Sequence, residues 1–209
     1  MILDPRDKAG PFGQLFQDIR GCKEARTCQL LSVRSYYFEP NPETADEWRS
    51  QGAYLGELDH RVVFVCESPG PSGKGEDASE AKRCWAESPR DRRFQGVREK
   101  YGLQDCYITN TVKCGVRQGA RHTNDEFSAC IGFLAEELDL IRPLLAVGVG
   151  GNALYALRRW ALPRLTVPPV LFEITHYSTR RNPWEAWDRE FPELRRLLSR
   201  LKPRSEWEE

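Results

Sequence analysis

The sequence predicts a three-layer α/β/α sandwich built around a central four-stranded parallel sheet. Four short runs have the length and the largely apolar composition of buried strands, and they cover residues 62–66, 106–109, 144–149 and 170–174. Segments with helical periodicity separate these runs from one another. Strands that alternate with helices form a parallel sheet with helices on both faces.

Length and composition indicate a single domain over residues 1–209. A chain of 209 residues, 40% of them hydrophobic, can bury one sizeable core. No apolar run approaches the roughly 20 residues of a membrane span, and the first residues lack the apolar region of a signal peptide. We therefore expect a cytoplasmic protein, and a monomer. The 31 basic and 31 acidic residues balance, so a polyanionic partner would have to be bound by a local basic patch.

The N-terminal residues 1–60 are predicted to be irregular, because Pro5, Pro11, Pro40 and Pro42 interrupt them. Residues 43–51 have the composition of a short acidic helix within this segment. The first predicted strand, residues 62–66, then stops on a loop rich in proline and glycine at residues 67–73. Because open α/β sheets bind ligands at the carboxyl ends of their strands, this loop is a candidate active-site loop. The alternative is an ordinary turn between a strand and a helix.

Five helices are predicted to follow the first strand. They cover residues 76–87, residues 91–100 with Asp91 as the cap, residues 124–141, residues 151–160 and residues 184–201. Thr123 lies three residues before Glu126, which is the spacing of a capping box and marks the start of the third of these helices. The glycines before residue 152 allow close packing of the fourth helix on the sheet, but they lack the spacing of a dinucleotide site, so we predict no nucleotide cofactor.

Polar side chains follow three of the predicted strands. Glu67 and Ser68 follow the first strand, Asn110 follows the second and His176 follows the fourth. The carboxyl ends of parallel strands lie on one edge of a sheet, so an acid, an amide and an imidazole are expected to meet there. Such a set suits the recognition of a nucleobase or a hydrolytic reaction. Each residue also has a structural alternative: Glu67 as a helix cap, Asn110 in a turn and His176 on the surface.

Seven cysteines in a cytosolic chain indicate metal ligands, reactive thiols or core residues rather than disulfides. Cys22 and Cys28 lie in a basic, turn-like segment that is too polar to be core, so metal ligation is one explanation and coincidence is the other. Cys66, Cys84 and Cys106 lie in predicted strands or a helix, and we assign them to the core.

The order of these segments resembles the uracil-DNA glycosylase superfamily, and within it the iron–sulfur branch called family 4. The resemblance runs over residues 61–181, and it rests on ESPG at 67–70, NTVKC at 110–114, Glu126 with Cys130, RPLLAVG at 142–148 and HYS at 176–178. Cys130 lies sixteen residues after Cys114, as in that branch. Ser68 stands where the branch usually has Ala, Tyr177 stands where it has Pro, and Cys22 and Cys28 are more widely spaced than their counterparts.

The resemblance implies a role for each matching residue. Catalysis would involve Glu67, Ser68 and His176, and the base would be bound by Asn110 and Gly70 with an aromatic floor from Trp85 or Phe94. DNA contacts would come from the loops that hold Ser178, Arg180, Arg181, Arg121 and His122. Thiolates are the ligands of iron–sulfur clusters, so a 4Fe–4S cluster would be held by Cys22, Cys28, Cys114 and Cys130. Zinc is the competing occupant of a four-cysteine site.

The expected activity is therefore the removal of uracil from DNA by base flipping and hydrolysis, without lyase chemistry, because Lys74 and Lys113 are the only lysines near these loops. One alternative is a glycosylase for other deaminated bases, such as hypoxanthine or xanthine. Another is a protein that traps uracil-DNA through His122. A third alternative is a DNA- or nucleotide-binding module on the same scaffold, in which Ser68 would mark lost chemistry.

Overall fold

The computed structural model describes residues 10–20, 22, 62–68, 89–103, 106–113, 123–177 and 182–201. The helices predicted at residues 43–51 and 76–87 lie outside these residues. In the described part of the chain, no helix is both long enough and apolar enough to span a membrane. The extent of the domain over residues 1–209 stays a prediction.

Four parallel strands form the centre of the fold. They are β1 (Val62–Cys66), β2 (Tyr107–Asn110), β3 (Leu145–Val149) and β4 (Val170–Ile174). Their order across the sheet is β2-β1-β3-β4, with β1 paired to both β2 and β3, and β3 paired to β4. All four predicted strands are present, and the second and third begin one residue later than predicted. β2 also ends one residue later than predicted, so Asn110 is its last residue rather than the first residue of a loop.

Both faces of the sheet are covered, which confirms the predicted three-layer α/β/α architecture. Because side chains alternate along a strand, Phe64 of β1 faces one layer and Val63 and Val65 face the other. The first layer contains α2 (Pro89–Lys100) and a long helix near the C-terminus (Trp184–Arg200). The second layer contains α3 (Asn124–Ile141). This double coverage explains why β1 and β3 are buried along their whole length.

An N-terminal helix, α1 (Pro11–Arg20), corrects the prediction that the first sixty residues are irregular. Pro11 does not interrupt regular structure as predicted, because it is the first helical residue, where a missing N–H is tolerated and the fixed φ of proline suits a helix. Leu15 and Ile19 are fully buried, and α1 packs against α3. The helix is thereby attached to the main domain.

The predicted capping box at the start of α3 is confirmed. The backbone N–H of Glu126 donates to Thr123 Oγ1 at 3.3 Å, and the backbone N–H of Thr123 donates to Glu126 Oε2 at 2.7 Å. The helix ends at Ile141 as predicted, and Arg142 follows in the left-handed conformation with φ 53°. In contrast, α2 begins at Pro89, two residues before the predicted cap Asp91.

The helical segment after β3 extends beyond the predicted residue 160, but only its first six residues are α-helical. It begins as α4 (Gly151–Ala156), widens into a π-helical turn at Leu157–Ala161 and ends in a 3-10 turn at Leu162–Arg164. A Cβ atom on Gly148 would lie 2.9 Å from the backbone of Leu154, so glycine is needed for this helix to pack closely on β3. The C-terminal helix, α5 (Trp184–Arg200), begins as predicted and ends one residue earlier.

Candidate active site

The predicted site residues lie at the carboxyl ends of three strands of the parallel sheet. Glu67 follows β1, Asn110 ends β2 and His176 lies two residues after β4. The register pairs Cys66 with Asn110 across β1 and β2, so the first two positions are neighbours in the sheet. The parallel sheet therefore brings the acid, the amide and the imidazole to one edge of the molecule.

Backbone hydrogen bonds tie the end of β1 to the segment after β2. The N–H of Thr111 donates to the carbonyl of Cys66 at 2.8 Å, and the N–H of Val112 donates to the carbonyl of Glu67 at 2.9 Å. The hydroxyl of Thr111 donates to the same Glu67 carbonyl. These bonds continue the β1–β2 pairing beyond the sheet, and they hold the backbones of Glu67 and Asn110 at a fixed separation.

Asn152 contacts the carboxylate of Glu67. Its Nδ2 atom donates to Glu67 Oε2 at 3.0 Å from the first turn of α4. Asn152 is not among the site residues predicted from the sequence. A signal was nevertheless present, because Asn152 is a polar residue just after the third strand, at the same edge as the other candidates. The side chain orients the carboxylate and leaves Oε1 available to other partners.

The loop after β4 approaches the backbone after β3 closely. Gly150 has φ 89°, and its N–H donates to the carbonyl of Ile174 at 2.8 Å. A Cβ atom at this position would lie only 2.9 Å from Cβ of His176. Gly150 therefore provides both the left-handed backbone and the space in which the half-buried His176 sits.

A stack of three rings connects His176 with the core. The imidazole stacks on the ring of Tyr177 at a centroid distance of 4.4 Å, and Tyr177 stacks on Phe94 at 5.4 Å. Phe94 itself is completely buried and also packs edge-on against Phe64. This burial differs from the predicted contact of Phe94 with a base, because a base needs an exposed ring face on which to stack. In this structure Phe94 supports Tyr177, which in turn supports His176.

Helix α5 holds the residue before His176. The carboxylate of Glu190 accepts one bond from the backbone N–H of Thr175 and one from its hydroxyl, both at 2.7 Å. The indole N–H of Trp187 donates to the carbonyl of Thr175 at 2.8 Å. Three hydrogen bonds therefore restrain the backbone from which His176 projects. Neither helical residue was predicted from the sequence, because nothing in the local pattern indicates a partner twelve or fifteen residues away.

Two of the four predicted cluster cysteines are described. Cys22 is half-buried just after α1, and Cys130 is buried on α3, the helix against which α1 packs. Among the described residues, no group of three or more His, Cys, Asp or Glu side chains is arranged to hold a metal ion. Cys28 and Cys114 lie outside those residues. The thiol of Cys22 just after α1 and the thiol of Cys130 on α3 are sulfur donors of the kind that bind an iron–sulfur cluster. Cys66 and Cys106 are buried, as predicted for core residues.

The remaining predicted site residues divide into two groups. Ser68 is described and half-buried beside Glu67. The others lie outside the described residues, and they are Gly70, Trp85, Arg121, His122, Ser178, Arg180 and Arg181.

Comparison with known proteins identifies the family. The model of the family described as the uracil DNA glycosylase superfamily matches residues 53–202, which include all four strands. A type-4 uracil-DNA glycosylase from Thermotoga maritima is 33% identical over 99 residues, which are 47% of this chain and 50% of that protein. A type-4 uracil-DNA glycosylase from Sulfurisphaera tokodaii is 29% identical over 94 residues, which are 44% of this chain and 40% of that protein. The matches thus span half or less of these curated relatives. The family model covers most of the chain, and the chain belongs to the uracil DNA glycosylase superfamily.

Proposed function

We propose that this chain is a monofunctional glycosylase that removes uracil from DNA by hydrolysing the N-glycosidic bond. The observation that carries the proposal is the position of Glu67, Asn110 and His176 at the carboxyl edge of one parallel sheet in a member of this superfamily. A base inside a duplex is inaccessible, so the enzyme must flip the nucleotide into this edge before reaction. The two relatives named type-4 uracil-DNA glycosylases support uracil as the base.

Asn110 is the proposed reader of the base. Its side-chain amide has one acceptor and two donors, which complement the N3–H and the O4 of uracil. Cytosine presents an acceptor and a donor in the opposite order. Asn110 is mostly buried, at 7% exposure, so a mismatched base would leave polar groups without partners.

His176 and Glu67 are the proposed catalytic groups. As the N-glycosidic bond breaks, negative charge gathers on the leaving base, and a donor from His176 to a base carbonyl would stabilise it. Glu67, oriented by Asn152, would position water or offset the positive charge that develops on the sugar. The hydroxyl of Ser68 adds a polar group beside the carboxylate, and it is a weaker base than a carboxylate.

The environment of Lys113 supports hydrolysis without a lyase step. A lysine that attacks the sugar must be neutral and accessible to it. The ammonium of Lys113 is instead buried and paired with the carboxylate of Glu137. Lys113 is therefore unsuited to form a Schiff base with the sugar.

The cofactor of the proposed enzyme is a 4Fe–4S cluster bound by Cys22, Cys28, Cys114 and Cys130. Its thiolate ligands would tie the segment after α1 to α3 and to the segment after β2. DNA would be bound by the loops after β2 and β4, through Arg121, His122, Ser178, Arg180 and Arg181. These loops follow strands that end at the same sheet edge as the proposed catalytic groups, so the DNA phosphates would be bound beside the flipped base.

The first prediction tests base reading with Asn110→Asp. This substitution should slow the excision of uracil about 5- to 150-fold, which corresponds to one mismatched polar group at about 1–3 kcal/mol. We also expect the variant to admit cytosine, because a suitably protonated carboxyl group can accept a hydrogen bond from the cytosine amine, so excision of cytosine is measured in parallel. The measurement is single-turnover release of each base from matched oligonucleotides.

The controls separate base reading from general damage. Gln17→Glu makes the same change from amide to acid on the exposed face of α1, and it should excise uracil like the parent. His176→Ala should slow release of both bases, because it acts on the charge of the leaving group. Excision of uracil by Asn110→Asp at the rate of the parent would show that Asn110 does not read the base.

A further inference from the structure

A buried charged pair lies behind the proposed site. Lys113 and Glu137 have side chains that are 1% and 0% exposed, and their charged groups form a direct ion pair. Lys113 lies three residues after β2 ends, and Glu137 lies on α3 in the layer below the sheet. Neither residue belongs to the set of catalytic or base-reading groups described above.

The ammonium of Lys113 has three hydrogen-bond acceptors among the described residues. Lys113 Nζ donates to Thr109 Oγ1 and to the backbone carbonyl of Asn110, each at 2.8 Å, and to Glu137 Oε2. The Glu137 carboxylate also accepts from the hydroxyl of Tyr107 and from that of Thr109, both at 2.7 Å. The three hydrogens of the ammonium therefore point in three defined directions, which fixes the position of its nitrogen.

Stability alone does not explain why this pair is ionic. Removing two charges from water is costly, and apolar residues of similar size often give equal or greater stability at such positions. The pair does, however, hold one particular main-chain atom, the carbonyl oxygen of Asn110. That carbonyl stands at the end of β2, where the sheet pairing gives way to the bend at residues 111–113.

The pair also connects the base-reading residue with the predicted cluster. Lys113 immediately precedes Cys114, and Glu137 lies two helical turns after Cys130 on the same buried face of α3. The ammonium stands between the peptide of Asn110 and this face.

We propose that Lys113 and Glu137 are positioning residues that hold the peptide of Asn110 so that its amide faces the base. This inference rests on the proposed function, since the base is what Asn110 would read. Loss of the pair should release the Asn110 carbonyl and loosen the bend, while the core around it stays packed. The effect should appear in the rate of the bound complex rather than in DNA affinity, because neither residue reaches the surface.

The test uses the double variant Lys113→Met/Glu137→Gln. It removes both charges together, so no unpaired charge stays buried, and the side chains keep similar shapes. The thermal midpoint should stay close to that of the parent, while the maximal single-turnover rate of uracil excision should fall at least about tenfold with little change in DNA affinity. Asp139→Asn is the matched control, because it converts another carboxylate of α3 to an amide at a site whose partner is Thr166. It should excise uracil like the parent.

Hydrogen exchange supplies a readout that does not depend on activity. The N–H groups of Thr111 and Val112 bond to the carbonyls of Cys66 and Glu67, and they should exchange faster in the double variant than in Asp139→Asn. A folded double variant with parental excision and parental exchange would overturn the inference. If the parent itself releases no uracil, the proposed function fails, and the exchange of these two amides still decides whether the pair positions the bend.

A second pair of variants covers the case in which the double variant does not fold. Thr109→Ser keeps the hydroxyl that joins Lys113 to Glu137, and Thr109→Val keeps the shape of the side chain without the hydroxyl. The inference expects slower excision and faster exchange at Thr111 in Thr109→Val, with both close to parental values in Thr109→Ser. Equal rates and equal exchange in the two variants would overturn it.

Discussion

At the scale of single residues, the candidate site depends on what lies beside each functional group. Three neighbours determine the position of His176. The backbone of Gly150 lies close to its Cβ atom, the ring of Tyr177 stacks on the imidazole, and Thr175 is hydrogen-bonded to α5. A donor that must meet a developing charge is most effective when its position is set before the reaction. The neighbours of His176 therefore matter as much for the proposed chemistry as the imidazole does.

Gly150→Ala tests this restraint. The new Cβ atom would lie 2.9 Å from Cβ of His176, and the backbone would keep a φ of 89°, which alanine rarely adopts. We expect a loss of about 1–3 kcal/mol in unfolding free energy and a slower excision of uracil at saturating enzyme. Urea unfolding and single-turnover excision measure the two effects.

Gly96→Ala is the control for this prediction. Gly96 is exposed on α2, a Cβ atom there meets nothing within 4 Å, and alanine should stabilise the helix by about 0.5–1 kcal/mol. Excision should be unchanged in this variant. Parental stability and parental excision in Gly150→Ala would show that the close approach of residue 150 to His176 is not required for folding or for excision.

At the scale of secondary-structure elements, α3 links the parts of the molecule. Its first turn is fixed by the capping box, its buried face holds Cys130 and Glu137, and it packs against α1. Partial burial and the nearby Asp18 carboxylate of α1 raise the pKa of Glu136 above its ordinary value of 4.5, so the ionised Glu136 is unfavourable at this contact. Attachment of the N-terminal helix should therefore depend on pH.

Glu136→Gln removes that unfavourable charge. A raised pKa means that the folded state binds the proton more tightly, so the ionised carboxylate costs stability as pH rises above about 4.5. The variant should be more stable than the parent at pH 7, by no more than about 0.5 kcal/mol because the side chain is largely exposed. The difference should shrink on acidification and vanish at about pH 3 and below, where the parent is neutral at this position too. Urea unfolding at both pH values measures it, and a difference that grows on acidification would contradict the assignment.

At the scale of the whole molecule, one proposed cluster would join distant parts of the chain. Cys22 follows α1 and Cys130 lies on α3, while Cys28 and Cys114 complete the proposed ligand set. Protein purified without air should be brown and contain iron and sulfide. Cys130→Ala should lose both, whereas Cys106→Ala should keep them, because Cys106 is a core residue outside the proposed set. A colourless parent that contains zinc or no metal would exclude the iron–sulfur assignment.

The whole molecule has no net charge, so DNA binding has to come from a local surface. Phosphate contacts release counterions, and affinity for a uracil-containing duplex should fall steeply between low and moderate salt. Replacing Arg180 and Arg181 by alanine should weaken binding and flatten this dependence. Replacing Arg195 and Arg196, exposed near the far end of α5, should change neither. Equal salt dependence in both pairs of variants would place the DNA surface elsewhere.

The sequence by itself determined the strands, most helix limits and the three strand-end candidates, because these depend on local periodicity, capping residues and the geometry of parallel sheets. Tyr107–Asn110 and Asn124–Ile141 lie within one residue of their predicted limits for this reason. Only the tertiary structure decided that Phe94 is buried beneath Tyr177, that Asn152 contacts Glu67 and that Glu137 pairs with Lys113. These contacts join residues 24 to 85 positions apart, and no pattern within a strand or a helix specifies which distant side chain will complete such a pair.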